Sequence, residues 1–136
     1  MDAIAERLKE LFAEISPMIE SYTREVCPQC AQVCCKQRHA LPDAKDRVFL
    51  RALGLESPPY DNRRSPDEQC QFLGSTGCVN PRWMRPFRCT WFFCEPLLRA
   101  MDEGAGKRCR KLTALLGEIV KMSNDLQGRS LYGTSP

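Results

Sequence analysis

The stretch Cys70–Cys94, CQFLGSTGCVNPRWMRPFRCTWFFC, decides how this chain is read. It holds four cysteines and three arginines set among aromatic residues, and its pattern has neither the 3.6-residue nor the two-residue period of regular structure. A second dense group lies upstream, Cys27-Pro-Gln-Cys30-Ala-Gln-Val-Cys34-Cys35. Together the two stretches contain eight of the nine cysteines, so the rest of the chain reads as scaffold that brings two loops face to face.

Length and composition bound the answer. A chain of 136 residues makes one domain, 1–136, with a modest core, and its cysteine usage is far above the ordinary level. The formal charge of +3 counts every thiol as neutral. Eight thiolates on two divalent ions would bring it to about −1, because metal-bound thiols are deprotonated. The basic sequence pI is therefore poor support for a nucleic-acid partner. The opening MDAIAERLKELF alternates charged and apolar residues and lacks the apolar run of a signal peptide. No window reaches the eighteen apolar residues of a membrane span. The expected location is cytoplasmic, where thiols stay reduced, and an odd cysteine count does not favour a closed disulfide framework. Metal ligation is the preferred reading, with disulfides as the alternative.

The flanks are helical. Ile4, Leu8, Leu11, Phe12, Ile15, Ile19 and Tyr22 recur at spacings of three and four, which predicts a helix over 2–26. Pro17 predicts a kink or a restart, with Ser16 as N-cap. After the loop at 27–42, Asp43 caps a helix over 44–53 that Gly54 stops. Residues 55–68 contain three prolines and read as a loop. Glu95-Pro96 opens a short helix, Gly104-Ala-Gly106 interrupts it, and 107–126 forms a longer one through Leu112, Leu115, Leu116, Ile119, Val120 and Met122. Residues 127–136 read as a frayed tail. The expected fold class is mainly α: a helical frame, with long N- and C-terminal helices packed together, around an irregular Cys-rich metal-binding centre.

The candidate ligands are Cys27, Cys30, Cys34, Cys35, Cys70, Cys78, Cys89 and Cys94. The Cys27-x-x-Cys30 turn puts two sulfurs within reach of one tetrahedral ion, and the redox-dithiol alternative lacks a βαβ context. Adjacent Cys34 and Cys35 point in different directions; they reach two centres, or one ligates while the other packs. Gly74-Ser-Thr-Gly77 lets the chain double back so that Cys70 and Cys78 face one way. Eight thiols suit two four-thiolate sites, or one [4Fe–4S] cluster with a zinc ion or free thiols beside it. Arg85 is a candidate to offset thiolate charge from behind the ligands. Arg82, Arg88, Arg63 and Arg64 read as surface residues. Trp83, Phe87, Trp91, Phe92 and Phe93 read as a water-excluding shell, as ordinary core, or as both; base stacking is a third and disfavoured reading, because these rings lie so close to the cysteines. The lone His39 is a weak candidate for ligand or acid–base duty, and Cys109 reads as a buried free thiol on the last helix.

These residues carry a resemblance. Cys27, Cys30, Cys34, Cys35, Cys70-Gln-Phe72-Leu73, Cys78, Arg85-Pro86-Phe-Arg-Cys89 and, more loosely, Cys94 resemble the motifs of the CxxCxxCC cysteine-cluster family, the YkgJ-type proteins, described as zinc- or iron-chelating domains and as predicted iron–sulfur proteins. The segment opening at Leu41-Pro42-Asp43 is also similar. The resemblance spans about residues 27–94 and departs from the family in two spacings: Cys30 to Cys34, and Cys78 to Arg85-Pro86. It implies metal binding through the eight cysteines, as an iron–sulfur cluster or as Zn2+, in electron transfer or metal handling, with a redox or other protein partner. The alternative is a zinc-stabilised module that binds protein or nucleic acid. No catalytic residue emerges.

Overall fold

The computed structural model describes residues 2–26, 35–74, 77–91, 93, 95–104 and 106–131. Helix α1 runs from Ala3 to Val26 without a break at Pro17. Asp2 starts it, its Oδ1 accepting the Ile4 N–H at 2.9 Å and the Ala5 N–H at 3.3 Å. The apolar stripe behaves as its spacing requires: Leu8, Leu11, Phe12, Ile15, Ile19 and Tyr22 are all buried. Burying each such side chain contributes about 1.5–3 kcal/mol, and residues on both sides of Pro17 do so. That explains why the helix carries through a residue with no N–H for the Ala13 carbonyl. The expected restart at Ser16 is thus replaced by one continuous helix. Ser16 caps nothing; its hydroxyl donates to Glu20 at 3.3 Å and accepts from Arg82 Nε at 3.2 Å.

Helix α2 spans Ala44–Ala52. Asp43 and Asp46 form a reciprocal capping box at 2.9 and 2.8 Å. Gly54 ends the helix with φ +79°, where a side chain would be strained. Residues 55–68 form no helix or strand. A two-residue antiparallel ladder follows, β1 (Leu73–Gly74) against β2 (Gly77–Cys78), with Leu73 opposite Cys78. Its turn residues, Ser75 and Thr76, lie outside the described set. Then come a 3-10 turn at Arg82–Met84, the one-turn helix α3 (Arg88–Trp91) and helix α4 (Glu95–Glu103).

Helix α5 spans Gly106–Leu131, which corrects the expected boundary. The first five residues assigned to a frayed tail are helical, and Gln127 Nε2 donates to the Lys45 carbonyl of α2 at 3.2 Å. That cross-helix bond and buried Leu126 hold the added turns. Residues 132–136 lie outside the described set. Leu112, Leu115, Ile119 and Leu126 face the core, whereas Val120, expected on that face, is exposed. Helix α1 packs chiefly on α5, with α4, α2 and the 3-10 turn at Arg82 completing its surroundings. A three-ring cluster of Phe12, Phe49 and Phe87, with centroids 5.5–5.7 Å apart, ties α1 and α2 to the loop that leads into Cys89. The architecture is mainly helical with long N- and C-terminal helices. Among the described residues, no helix is long and apolar enough to cross a membrane.

Candidate metal centre

Cys35 and Cys70 are brought together by backbone pairing. The Cys70 N–H donates to the Cys35 carbonyl at 2.9 Å, the Gln37 N–H donates to the Glu68 carbonyl at 2.7 Å, and Lys36 forms a bridge with Gln69. A pair of side-chain amides, one buried and one half-buried, fixes the register. Gln37, fully buried, accepts the Gln71 N–H at 2.8 Å, and its own amide donates to Gln71 Oε1 at 2.7 Å. Gln71 in turn accepts the Asp61 N–H at 2.7 Å and donates to the Pro59 carbonyl at 2.8 Å. The loop at 55–68 is thereby stitched to both cysteine segments. A buried amide with this many partners loses little by burial and excludes a shifted pairing.

Cys78 enters through the ladder, since Leu73 pairs with Cys78 and the Leu73 N–H donates to the Cys70 carbonyl at 3.0 Å. Cys89 enters through α2. Asp46 is 3% exposed, and its Oδ1 accepts the Phe87 N–H at 2.8 Å across 41 positions of sequence. Burial holds this carboxyl above the usual carboxylate range, against the pull of the Phe87 and Asp43 backbone bonds. The Cys89 N–H donates to the Pro86 carbonyl at 2.9 Å, and its Sγ makes a long contact of 3.9 Å to the His39 carbonyl. His39 therefore meets the site with its backbone.

The electrostatics link these four sulfurs. Burial, and then the thiols of Cys35, Cys78 and Cys70, push Cys89 up to about 12, against the pull of Arg85. Arg82 faces the same group. It is 5% exposed; Nε donates to Ser16 at 3.2 Å and a terminal nitrogen donates to the Cys89 carbonyl at 3.1 Å. Burial, and then the charge of Arg85, pull Arg82 down to about 10, while Glu20, Cys89 and Cys78 pull it back up. The expectation of a surface Arg82 is overturned. The small side chains of Ser16 and Ala13 on α1 leave room for it, and the sulfur-rich loop offers the negative potential that a desolvated guanidinium needs. Arg85 is half-buried, with Nε donating to the Asn80 carbonyl at 2.9 Å.

Arg63 is exposed as expected, and Arg88 reaches the Leu41 carbonyl at 3.0 Å. Cys70, Cys78, Cys89 and Cys109 are free thiols; Cys109 is half-buried against the core. Phe87 belongs to the core and Phe93 packs against it, while Trp83 carries Lys9 Nζ at 4.4 Å from its ring centre. Cys27, Cys30, Cys34, Cys94 and Phe92 lie outside the described residues, as does the side chain of Trp91. Among the described residues, no group of three or more His, Cys, Asp or Glu side chains is set to hold a metal ion. Cys89 feels the charge of Cys35, Cys70 and Cys78, but the four do not form a finished ligand shell among the described residues.

No family model, curated protein or solved structure matches the chain. What the arrangement can do rests on its own chemistry. The sequence reading missed Gln37, Asp46 and Arg82, which set the places of Cys35, Cys89 and the sulfur-facing charge. The Asp43-x-x-Asp46 spacing signals a capping box, but its second role with Phe87 leaves no local trace.

Proposed function

We propose that this chain binds metal through its clustered cysteine thiolates, as an iron–sulfur cluster of the [4Fe–4S] type or as Zn2+, in electron transfer or metal handling. The observation that supports the reading is the backbone pairing that joins Cys35 to Cys70 and Cys70 to the Cys78 ladder, with Cys89 close enough to feel the charge of all three. Thiols suit soft and borderline metals. Ionised sulfurs held near one another repel unless a cation lies among them, so thiolates in this number suit a metal better than proton-transfer chemistry. An iron–sulfur cluster would supply one-electron redox chemistry, and zinc would supply a structural cross-link. Arg82 and Arg85 offset the remaining negative charge from outside the ligands.

The reading is tested by elemental analysis and the visible spectrum of protein purified without oxygen. The expected result is iron with acid-labile sulfide and a broad band near about 400 nm, or stoichiometric zinc in a colourless protein. Protein free of metal, with thiols consumed in pairs, would overturn it. Colourless zinc protein turns attention to the interaction module that zinc would stabilise.

Arg82→Met separates charge balance from packing. Methionine keeps the stem volume and removes a desolvated cation, so the empty protein should change by about 1 kcal/mol or less. Metal affinity should fall about 10- to 100-fold, the usual cost of losing a group that supports the ligands. Competition with a chromogenic chelator gives the affinity and urea denaturation gives the stability. Equal losses in both would make Arg82 purely structural.

A further inference from the structure

Between α1 and the Cys78–Arg85 loop lies an open cleft of about 430 Å³. One wall is the α1 stripe Ala13, Ser16 and Glu20; the other carries Arg82, Trp83 and Arg85, with Cys78 on its lining. The size is that of small-molecule sites. Its charge is unbalanced. Among the described residues neither Arg82 nor Arg85 forms an ion pair with a carboxylate. Arg82 gives N–H bonds to Ser16 and the Cys89 carbonyl, and Arg85 gives its Nε to the Asn80 carbonyl. Most of Arg85's N–H donors therefore remain open on a half-buried wall.

Glu20, the acidic residue of the lining, is already engaged. It accepts from Ser16 at 3.3 Å and pairs with Arg24 at 3.6 Å. It lowers the positive potential of the cleft without filling the guanidinium forks. Guanidinium forks match the planar oxygens of carboxylate and phosphate. The Trp83 ring, Pro81 and Val79 add apolar surface for a short carbon skeleton.

We infer that this cleft binds a small organic anion, a carboxylate or a phosphate ester, with its acidic group between Arg82 and Arg85 and its body beside Cys78. The site needs no metal to form. A ligand seated there lies beside Cys78, so the cleft is also an approach to the cysteine-bearing loop.

The test is a titration of the protein as purified with succinate and, separately, with inorganic phosphate, at constant ionic strength. The reporters are the Trp83 indole N–H and the Arg82 and Arg85 Nε–H signals in heteronuclear NMR. Saturable shifts confined to these groups are expected, and the tighter of the two probes identifies the acid class. Arg85→Gln should weaken binding about tenfold or more, the worth of a charge-assisted pair. Glu20→Gln, on the half-buried α1 wall, should tighten it severalfold. Linear, unsaturated shifts with both probes, or unchanged affinity in both variants, would overturn the inference. Neither outcome bears on metal content, so the thiol reading stands or falls separately.

Discussion

Cys89→Ser is expected to lower metal retained after dialysis about tenfold or more, and to abolish any rise in melting temperature that metal brings. Serine matches the cysteine in size, so the Asp46–Phe87 anchor and the core should persist, and the empty variant should differ from the empty parent by about 1 kcal/mol or less. The hydroxyl is no substitute for a thiolate toward zinc or iron. Metal binding free energy adds directly to folding free energy, so losing a ligand shows in both readouts.

The pH dependence follows from the same residue. With the thiol of the empty protein pushed up to about 12, loading must expel a proton that the fold holds tightly. Metal occupancy therefore falls as the pH is lowered, and loading in weak buffer releases acid. In the empty protein the sign is that of a raised group. Its contribution to stability is complete below the ordinary thiol value of 9.0 and disappears as the pH climbs through about 12. Full metal retention in both Cys89→Ser and Cys34→Ser would show that the ligands lie elsewhere.

Asp46→Ala is expected to cost about 1.5–5 kcal/mol. The carboxylate accepts two backbone N–H groups, from Phe87 and from Asp43, each at 2.8 Å. A buried donor left without a partner costs about 1–3 kcal/mol, and a lost helix cap about 0.5–2 kcal/mol. Asp46→Asn should fall between, because its amide can keep the Phe87 bond but turns a donor toward the Asp43 N–H. The folded carboxyl is raised by burial, so its contribution is complete below the ordinary value of 3.8 and is lost as pH rises through its folded value. Asn, which cannot ionise, should flatten that slope. Urea denaturation across pH reads both effects. A loss under about 1 kcal/mol in the alanine variant would mean that solvent satisfies the Phe87 N–H.

Periodicity was enough for the frame. The stripe from Leu8 to Tyr22 and the pair of signals Asp43 and Gly54 are local patterns, and the structure uses them as read. The departures are all matters of distant partners. Arg82 is buried because Ser16, 66 positions away, leaves space and a hydroxyl for it. Gln37 is buried because Gln71, 34 positions away, meets its amide from the other cysteine segment. Val120 shares its helix's apolar residues but points off the face that α1 covers. Pro17 was weighed as a breaker by its backbone alone, while the apolar face around it carries the helix through. The extra turns of α5 depend on Lys45 and the core beneath Leu126, which a polar, glycine-containing sequence does not announce.

The pairing of α1 with α5 has a consequence for how the protein is made. Ribosomes add about 5–20 residues per second, and segments fold as their partners emerge. Helix α1 is synthesised early, yet its chief packing surface belongs to a helix that follows all eight clustered cysteines. For several seconds the nascent chain therefore carries reactive sulfur with no closed core behind it. Metal delivered during synthesis would meet open thiols, whereas metal delivered after release would have to reach a half-buried Cys89 in the folded chain. Pulse-labelling of stalled nascent chains with a thiol-reactive probe would show protection of Cys89 beginning only once α5 has left the exit tunnel.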